Sequence, residues 1–553
     1  MASIAACLEI WVDRCELSTL NRSSPDPEGR RQKGVIVSSS PHFHPPGFVP
    51  ESFVATRSLS DFITGDGAWS SRDRSTRAWW WVWWISLASK LTLAGLLPLS
   101  NDEAYYRVWG LLPQLSYYDH PPMVGWLFGI GLQLPGAETW PGLTRWPAVL
   151  LGHMTWLIWN EILRPATTPQ QRLVVLIVLL LSPLFGLGSL IVTPDLPLVA
   201  TWALALLGIQ KFALRPSSWT AVAVGSAMGL AFCAKYHAVI LAPIALVVFF
   251  LSPAFRATPH FQKAKQSLLA LIFGILFSAP VLLWNLEHDW ISFRFQLAHG
   301  LEVRAPQAQQ ILQQVGEYVG GQLLLLSPLV WFWAWRREHP RSLGLLHLAS
   351  WPILLFFLWT STRSHVEANW PIIAHFPLLT LAAIQISNSA RGRRALIGTL
   401  VVWICLSGLA VHQAFSPRQV LLGIPAENHK TFEFVRFEDI LPALHSQQLS
   451  SRPTYASSYQ MAADLTLRSG RLFCKLSGYN RRDFFDFLEQ CHPLHAAASQ
   501  HTENFSTTDE FQVIVDEEGP WPSWITEHQF VRQGEQPLTG RFKVVIFKKA
   551  SHI

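Results

Sequence analysis

Apolar runs dominate the chain from Arg77 onward. They cover about 77–98, 143–163, 173–192, 195–213, 218–234, 237–252, 266–284, 315–335, 343–360, 369–388 and 395–413. As helices these runs are long enough to cross about 30 Å of hydrocarbon, predicting eleven spans. The stretch PPMVGWLFGIGLQLPG at 121–136 is shorter and bracketed by Pro and Gly. It predicts a helix lying at the membrane interface. Before the first run, residues 1–76 are polar and rich in Ser, Pro and Arg, with no secretory-signal pattern. They read as a disordered tail. After residue 413 the periodicity changes. FQVIVD (511–516) and FKVVIF (542–547) predict strands, and FEFVRFEDILPALHSQQL between the last span and them predicts helix. The expected organisation is a tail (1–76), a transmembrane domain (77–413) and a small α/β domain (414–553).

Composition supports the membrane reading. Half of the residues are hydrophobic and only 14% are charged, against roughly 25% in soluble domains. Trp (26) and Phe (33) far outnumber Tyr (9), as suits lipid-packed helices and interfacial belts. Basic residues then set the orientation. If 121–136 does not cross, one set of loops holds thirteen Lys and Arg and the opposite set six. The basic set faces the cytoplasm. Residues 414 onward then lie on the outer side. This topology accounts for the net charge of +6 without nucleic-acid binding. The six cysteines contain no C-x-x-C pair, which excludes a zinc knuckle. Cys474 and Cys491, both in the outer unit, either pair in an oxidising compartment or remain free thiols.

Polar groups gather at the outer ends of the spans. They are Asn101-Asp102-Glu103 and Tyr117-Tyr118-Asp119-His120 in the first outer loop, Thr193-Pro194-Asp195, Lys235, Asn285 to Asp289 with His299, and His365, Glu367 and Asn369. Each alone reads as a solvated helix end. Together they suggest one polar vestibule, because ionisable groups at membrane depth usually mark function.

The series DEAYY, YYDHPPM, TPD-LPL, WN-HDWISFRFQ and EANWP resembles the bacterial polyprenyl-phosphate-sugar glycosyltransferases of the GT-C fold. These are relatives of the protein O-mannosyltransferases and aminoarabinose (lipid A) transferases. The resemblance covers roughly 77–415. It implies an all-α polytopic bundle with juxtamembrane helices in the first outer loop, in an inner membrane with the site facing the periplasm. The implied reaction passes a sugar from a polyprenyl-phosphate donor to a lipid, glycan or protein hydroxyl, with inversion. Asp102 matches the catalytic Asp and becomes the general base. Glu103 beside it either joins the catalysis or complements the helix N-terminus. Asp195 matches a second acidic position, as a support for catalysis or as a helix cap. Lys235 matches a donor-phosphate contact, and His120 stands where the aminoarabinose branch has a phosphate-binding Lys. Asp119 and His299 match positions that hold a divalent metal in that branch. Two ligands do not demand a metal, and a hydrogen-bonded pair fixing the loop is the other reading. Tyr105 replaces an Arg of that branch, which argues against copying its substrate. Arg481 and Arg482, after Asn480, either touch an anionic acceptor or form a solvated basic surface, the ordinary reading for such a pair.

No nucleotide-binding glycine loop is visible, consistent with a lipid-linked donor. A transporter or flippase would show paired repeats and polar groups at the bilayer midplane, and neither is present in the sequence. A non-catalytic envelope-assembly subunit is the other competing class.

Overall fold

The computed structural model describes residues 74–301, 307–335, 343–388, 390–421, 423–449, 451–492 and 509–550. The expected tail lies outside the described residues except for its last three. Arg74–Ile553 forms one compact unit.

A helix stands on each of the eleven predicted spans. In chain order these begin with α1 (Arg74–Leu96), followed by α2 (Asn101–Leu111) and α3 (Met123–Leu132), which are not spans. Then come α4 (Trp146–Leu163), α5 (Pro169–Leu181), α6 (Asp195–Leu214), α7 (Ser218–Ala234), α8 (Leu241–Leu251) and α9 (His260–Glu287). The short α10 (Ile291–Leu301) precedes α11 (Ala308–Trp335), α12 (Trp351–Ser361), α13 (Ile372–Ser387) and α14 (Ala390–Phe415). Among the described residues, four helical stretches are individually long and apolar enough to cross a membrane, or six if two bent pairs each count as one. Several predicted spans are therefore broken or shortened. Ser182 and Pro183 end α5, and the chain turns by 72° into Pro183–Leu190. α3 is only ten residues long, too short to span.

The bundle shows lipid-facing and buried helices side by side. α9 exposes Leu268, Leu271, Ile275 and Leu276, and α14 exposes Ile397, Val401 and Ile404, an apolar exterior suited only to hydrocarbon. By contrast, Ile372–Ile386 of α13 is buried at every position. α7 and α9 pack backbone to backbone. A Cβ on Gly225 would sit 2.1 Å from the Ala270 carbonyl oxygen, and one on Gly229 2.5 Å from that of Gly274. Small residues permit this approach where no hydrophobic effect drives helices together.

The C-terminal unit carries α15 (Tyr459–Ser469) and a four-stranded sheet of β1 (Thr454–Ala456), β2 (Glu510–Val515), β3 (Phe530–Thr539) and β4 (Phe542–Lys549). The order is β1-β2-β4-β3, with β1 parallel to β2 and the rest antiparallel. The two predicted strands are β2 and β4. Cys474 and Cys491 form a disulfide. The fold is thus a polytopic helical bundle with a small α/β domain. The sheet domain does not stand apart: Ala94, Tyr105, Trp109 and Phe128 share one hydrophobic cluster with Phe437, Met461, Phe484 and Val544.

Candidate active site

The site begins at the corner between α1 and α2, where the chain turns by 90°. Ser100 caps α2 in a reciprocal box with Glu103, whose carboxylate accepts from the Ser100 N–H at 2.9 Å. This arrangement satisfies two otherwise orphaned donors. Glu103 also accepts from the Val192 N–H at 2.7 Å and from both Nε and Nη2 of Arg145 at 2.6 Å. Arg145 donates further to the carbonyls of Ala94, Leu97 and Pro98, the unsatisfied end of α1. Glu103 and Arg145 are fully buried. Glu103 therefore braces the corner and does not face an open site. The possibility of catalysis by Glu103 gives way to a structural role, because every lone pair of its carboxylate is already aimed at a donor.

With Glu103 turned inward, its neighbour Asp102 is half-buried on another face of α2. Its only hydrogen bond among the described residues comes from the Tyr459 hydroxyl of α15, at a long 3.4 Å. Burial, together with nearby Glu433, raises the Asp102 carboxyl above its ordinary range, against the pull of Lys430, Tyr459 and Arg481.

Asp195 opens α6 after Pro194. Its carboxylate takes Lys235 Nζ at 2.6 Å on one oxygen and the Asn369 amide at 2.9 Å on the other. Lys235 sits where α7 ends, in extended backbone, so the pair links three separate stretches of chain. Both side chains are about nine-tenths buried. Tyr106, one turn after Asp102, lies within the electrostatic field of Asp102, Asp119 and Asp195 together, and burial with these charges raises its hydroxyl well above normal. Three predicted carboxylates thus act on one hydroxyl.

Asp119 is buried, and both of its oxygens are engaged. Tyr105 donates to Oδ2 at 2.7 Å, and Arg481 of the C-terminal unit pairs with Oδ1. The Phe484 N–H closes the contact by donating to the Tyr105 hydroxyl at 2.8 Å. Arg481 is therefore not simply solvated surface: it reaches across to the first loop and lies over the Tyr459 ring. A guanidinium on one carboxylate oxygen and a hydroxyl on the other leave Asp119 poorly suited to a divalent cation. The His299 side chain lies outside the described residues. Among the described residues no group of three His, Cys, Asp or Glu could hold a metal ion. Burial and the neighbouring cations Lys235 and Arg481 push the His120 imidazole down to about 3. His120 is thus neutral as it stands and presents a single N–H donor.

The sequence reading missed Arg145 and Tyr459 as parts of this region, and offered Arg481 only as an acceptor contact or solvated surface, not as a partner of Asp119. Arg145 looked like an ordinary loop cation, and nothing in the spacing joins residues 459 and 481 to the first loop. The one available signal was Cys474 and Cys491, which flank Arg481.

Three comparisons bear on this arrangement. Residues 119–284 match the dolichyl-phosphate-mannose-protein mannosyltransferase family. A lipid A galacturonosyltransferase, RgtD, of Rhizobium johnstonii is 26% identical over 286 residues, half of this chain. The match takes in 58% of that relative's length. The crystal structure of ArnT from Cupriavidus metallidurans bound to undecaprenyl phosphate superposes with a TM-score of 0.54 at 15% identity, covering 84% of this chain and 97% of that one. Its apo form gives 0.52 at 14% identity. At such identity the structural likeness speaks for a shared GT-C fold alone. The sequence matches add a resemblance to sugar transferases, one of them a family named for a dolichyl-phosphate-mannose donor.

Proposed function

We propose that this chain is an integral-membrane glycosyltransferase that moves a sugar from a polyprenyl-phosphate donor to a lipid, glycan or protein hydroxyl, with inversion. Asp102 is its general base. One observation carries the assignment. Among the described residues three acidic groups at the site are ion-paired: Glu103 with Arg145, Asp195 with Lys235 and Asp119 with Arg481. Asp102 has no cation in contact; Lys430 and Arg481 act on it only from a distance. A base must hold a free lone pair toward the incoming hydroxyl, a condition that Asp102 meets and these three do not.

The reaction is a single displacement at the anomeric carbon. The acceptor oxygen forms the new bond, its proton passes to Asp102, and the bond to the donor phosphate breaks. Negative charge grows on the departing phosphate, which needs a cation or donors beside it. Lys235, held by Asp195, whose other oxygen accepts from Asn369, is suited to that task. The relatives support the same chemistry: one is a lipid A galacturonosyltransferase, and the other binds undecaprenyl phosphate. The outer, periplasmic face is favoured by the basic-residue bias and by the Cys474–Cys491 disulfide in the C-terminal unit.

The test is transfer by the purified chain from a polyprenyl-phosphate sugar, with the product's anomeric configuration read by NMR. A glycoside of inverted configuration is expected. Movement of the lipid across a liposome membrane with no glycosidic product would make the protein a transporter instead.

A further inference from the structure

Arg481 sits in a loop built more firmly than a surface loop requires. The Cys474–Cys491 disulfide closes it at both ends. Inside it, Lys475 is 1% exposed and donates to the Arg481 carbonyl at 2.8 Å. The same ammonium lies 2.8 Å from Asp483 and 2.8 Å from Asp486, and Asp486 in turn accepts from the Gly478 and Asp483 N–H groups. Asn480, immediately before Arg481, adopts φ +56° and is fixed by donating to the Ser457 carbonyl. A left-handed backbone at a non-glycine residue is costly and persists only when its surroundings dictate it. These groups all converge on one outcome: they aim residue 481 at the first loop.

The guanidinium itself is only partly committed. One of its nitrogens bonds Asp119, its face stacks on Tyr459, and half of the side chain remains exposed. Among the described residues the other two nitrogens have no partner. Arginine offers five N–H donors in a fixed fork that fits two phosphate oxygens. His120, next to Asp119 in the first loop, lies within electrostatic range of both Arg481 and Lys235.

We propose that the disulfide-closed loop 474–491 is a substrate-binding element and that Arg481 grips the phosphate of the polyprenyl donor, turning its free nitrogens to the oxyanion. This rests on the glycosyltransferase reading for the source of the phosphate. Asp119 then serves as the resting partner that holds the guanidinium in place before the donor arrives.

The experiment uses the full chain in nanodiscs, with undecaprenyl phosphate alone as the binding probe and steady-state transfer as a second readout. Arg481→Ala should weaken undecaprenyl-phosphate binding by about 10- to 100-fold, the loss expected for a charge-assisted hydrogen bond. Arg481→Lys, which keeps charge but not the fork, should fall between. Asp119→Asn separates this role from a structural one. If the ion pair merely held the two units together, removing either partner would do the same damage. Here Asp119→Asn should bind the probe as tightly as wild type or more tightly, because the guanidinium is released. Parallel loss in both variants would overturn the proposal, as would unchanged binding in Arg481→Ala. A rise confined to the acceptor KM would overturn it too, assigning Arg481 to an acceptor anion. Wild type that binds undecaprenyl phosphate but forms no glycoside would sink the proposed reaction and leave the binding element standing.

Discussion

Glu103→Gln separates scaffold from chemistry at two adjacent acidic residues. Glu103 accepts four hydrogen bonds at 2.6–2.9 Å, two from Arg145 and one each from the backbone of Ser100 and Val192. The amide has one oxygen to accept with, and its NH2 would point at donors. Arg145 would stay charged and fully buried with only the carbonyls of Ala94, Leu97 and Pro98 for company. Breaking a buried ion pair from one side costs about 3–5 kcal/mol, a large part of a typical total of 5–15 kcal/mol. In melting temperature this is a fall of roughly 3–5 °C for a unit of this size. The assay is thermal unfolding in detergent beside transfer per folded molecule. The expected variant is unstable and poorly accumulated, yet its folded fraction retains activity. Replacing both partners, as in Glu103→Gln with Arg145→Met, should recover part of the loss, because no buried charge is then left unpaired. A Glu103→Gln protein that melted with wild type but transferred no sugar would refute the structural assignment and return this carboxylate to the chemistry.

Three further outcomes follow from the same geometry. The carboxyl of Asp102 is raised by burial and by Glu433, and a base works only when ionised, so kcat should fall as pH drops through a value above the ordinary ~3.9 of Asp. Glu433→Gln should move that acidic limb to lower pH and Tyr459→Phe to higher pH, read from pH-rate profiles. Lys235→Met should raise the donor KM by about tenfold or more, the expected loss of a charged phosphate contact, without moving the acidic limb. Gly225→Val would push into the Ala270 carbonyl and should lower the melting temperature by separating α7 from α9, while Gly398→Val on α14, where a Cβ meets nothing within 4 Å, should not.

The bundle was legible because spans are written in long apolar runs, and β2 and β4 because their alternation is clear. What sequence could not provide were the breaks. Ser182-Pro183 interrupts an apolar run whose hydropathy continues, so that turn is dictated by a capping hydroxyl and a proline rather than by polarity. At the site, motif order singled out Asp102, Asp195 and Lys235, Asn369 was already among the polar ends, and the last three meet in the structure. The pairing of Glu103 with Arg145 was not legible, since it joins residues 42 apart through burial alone. The reach of Arg481 to Asp119 spans 362 positions and depends on the docking of the C-terminal unit, for which no local pattern exists.

Asp102→Asn gives the most direct measurement. The change keeps size and polarity and removes a charge that no cation contacts. Sugar transfer should drop by at least two to four orders of magnitude, as for loss of a general base, while the melting temperature and undecaprenyl-phosphate binding remain those of wild type. Transfer at the wild-type rate by a correctly folded Asp102→Asn protein would contradict the account at its centre.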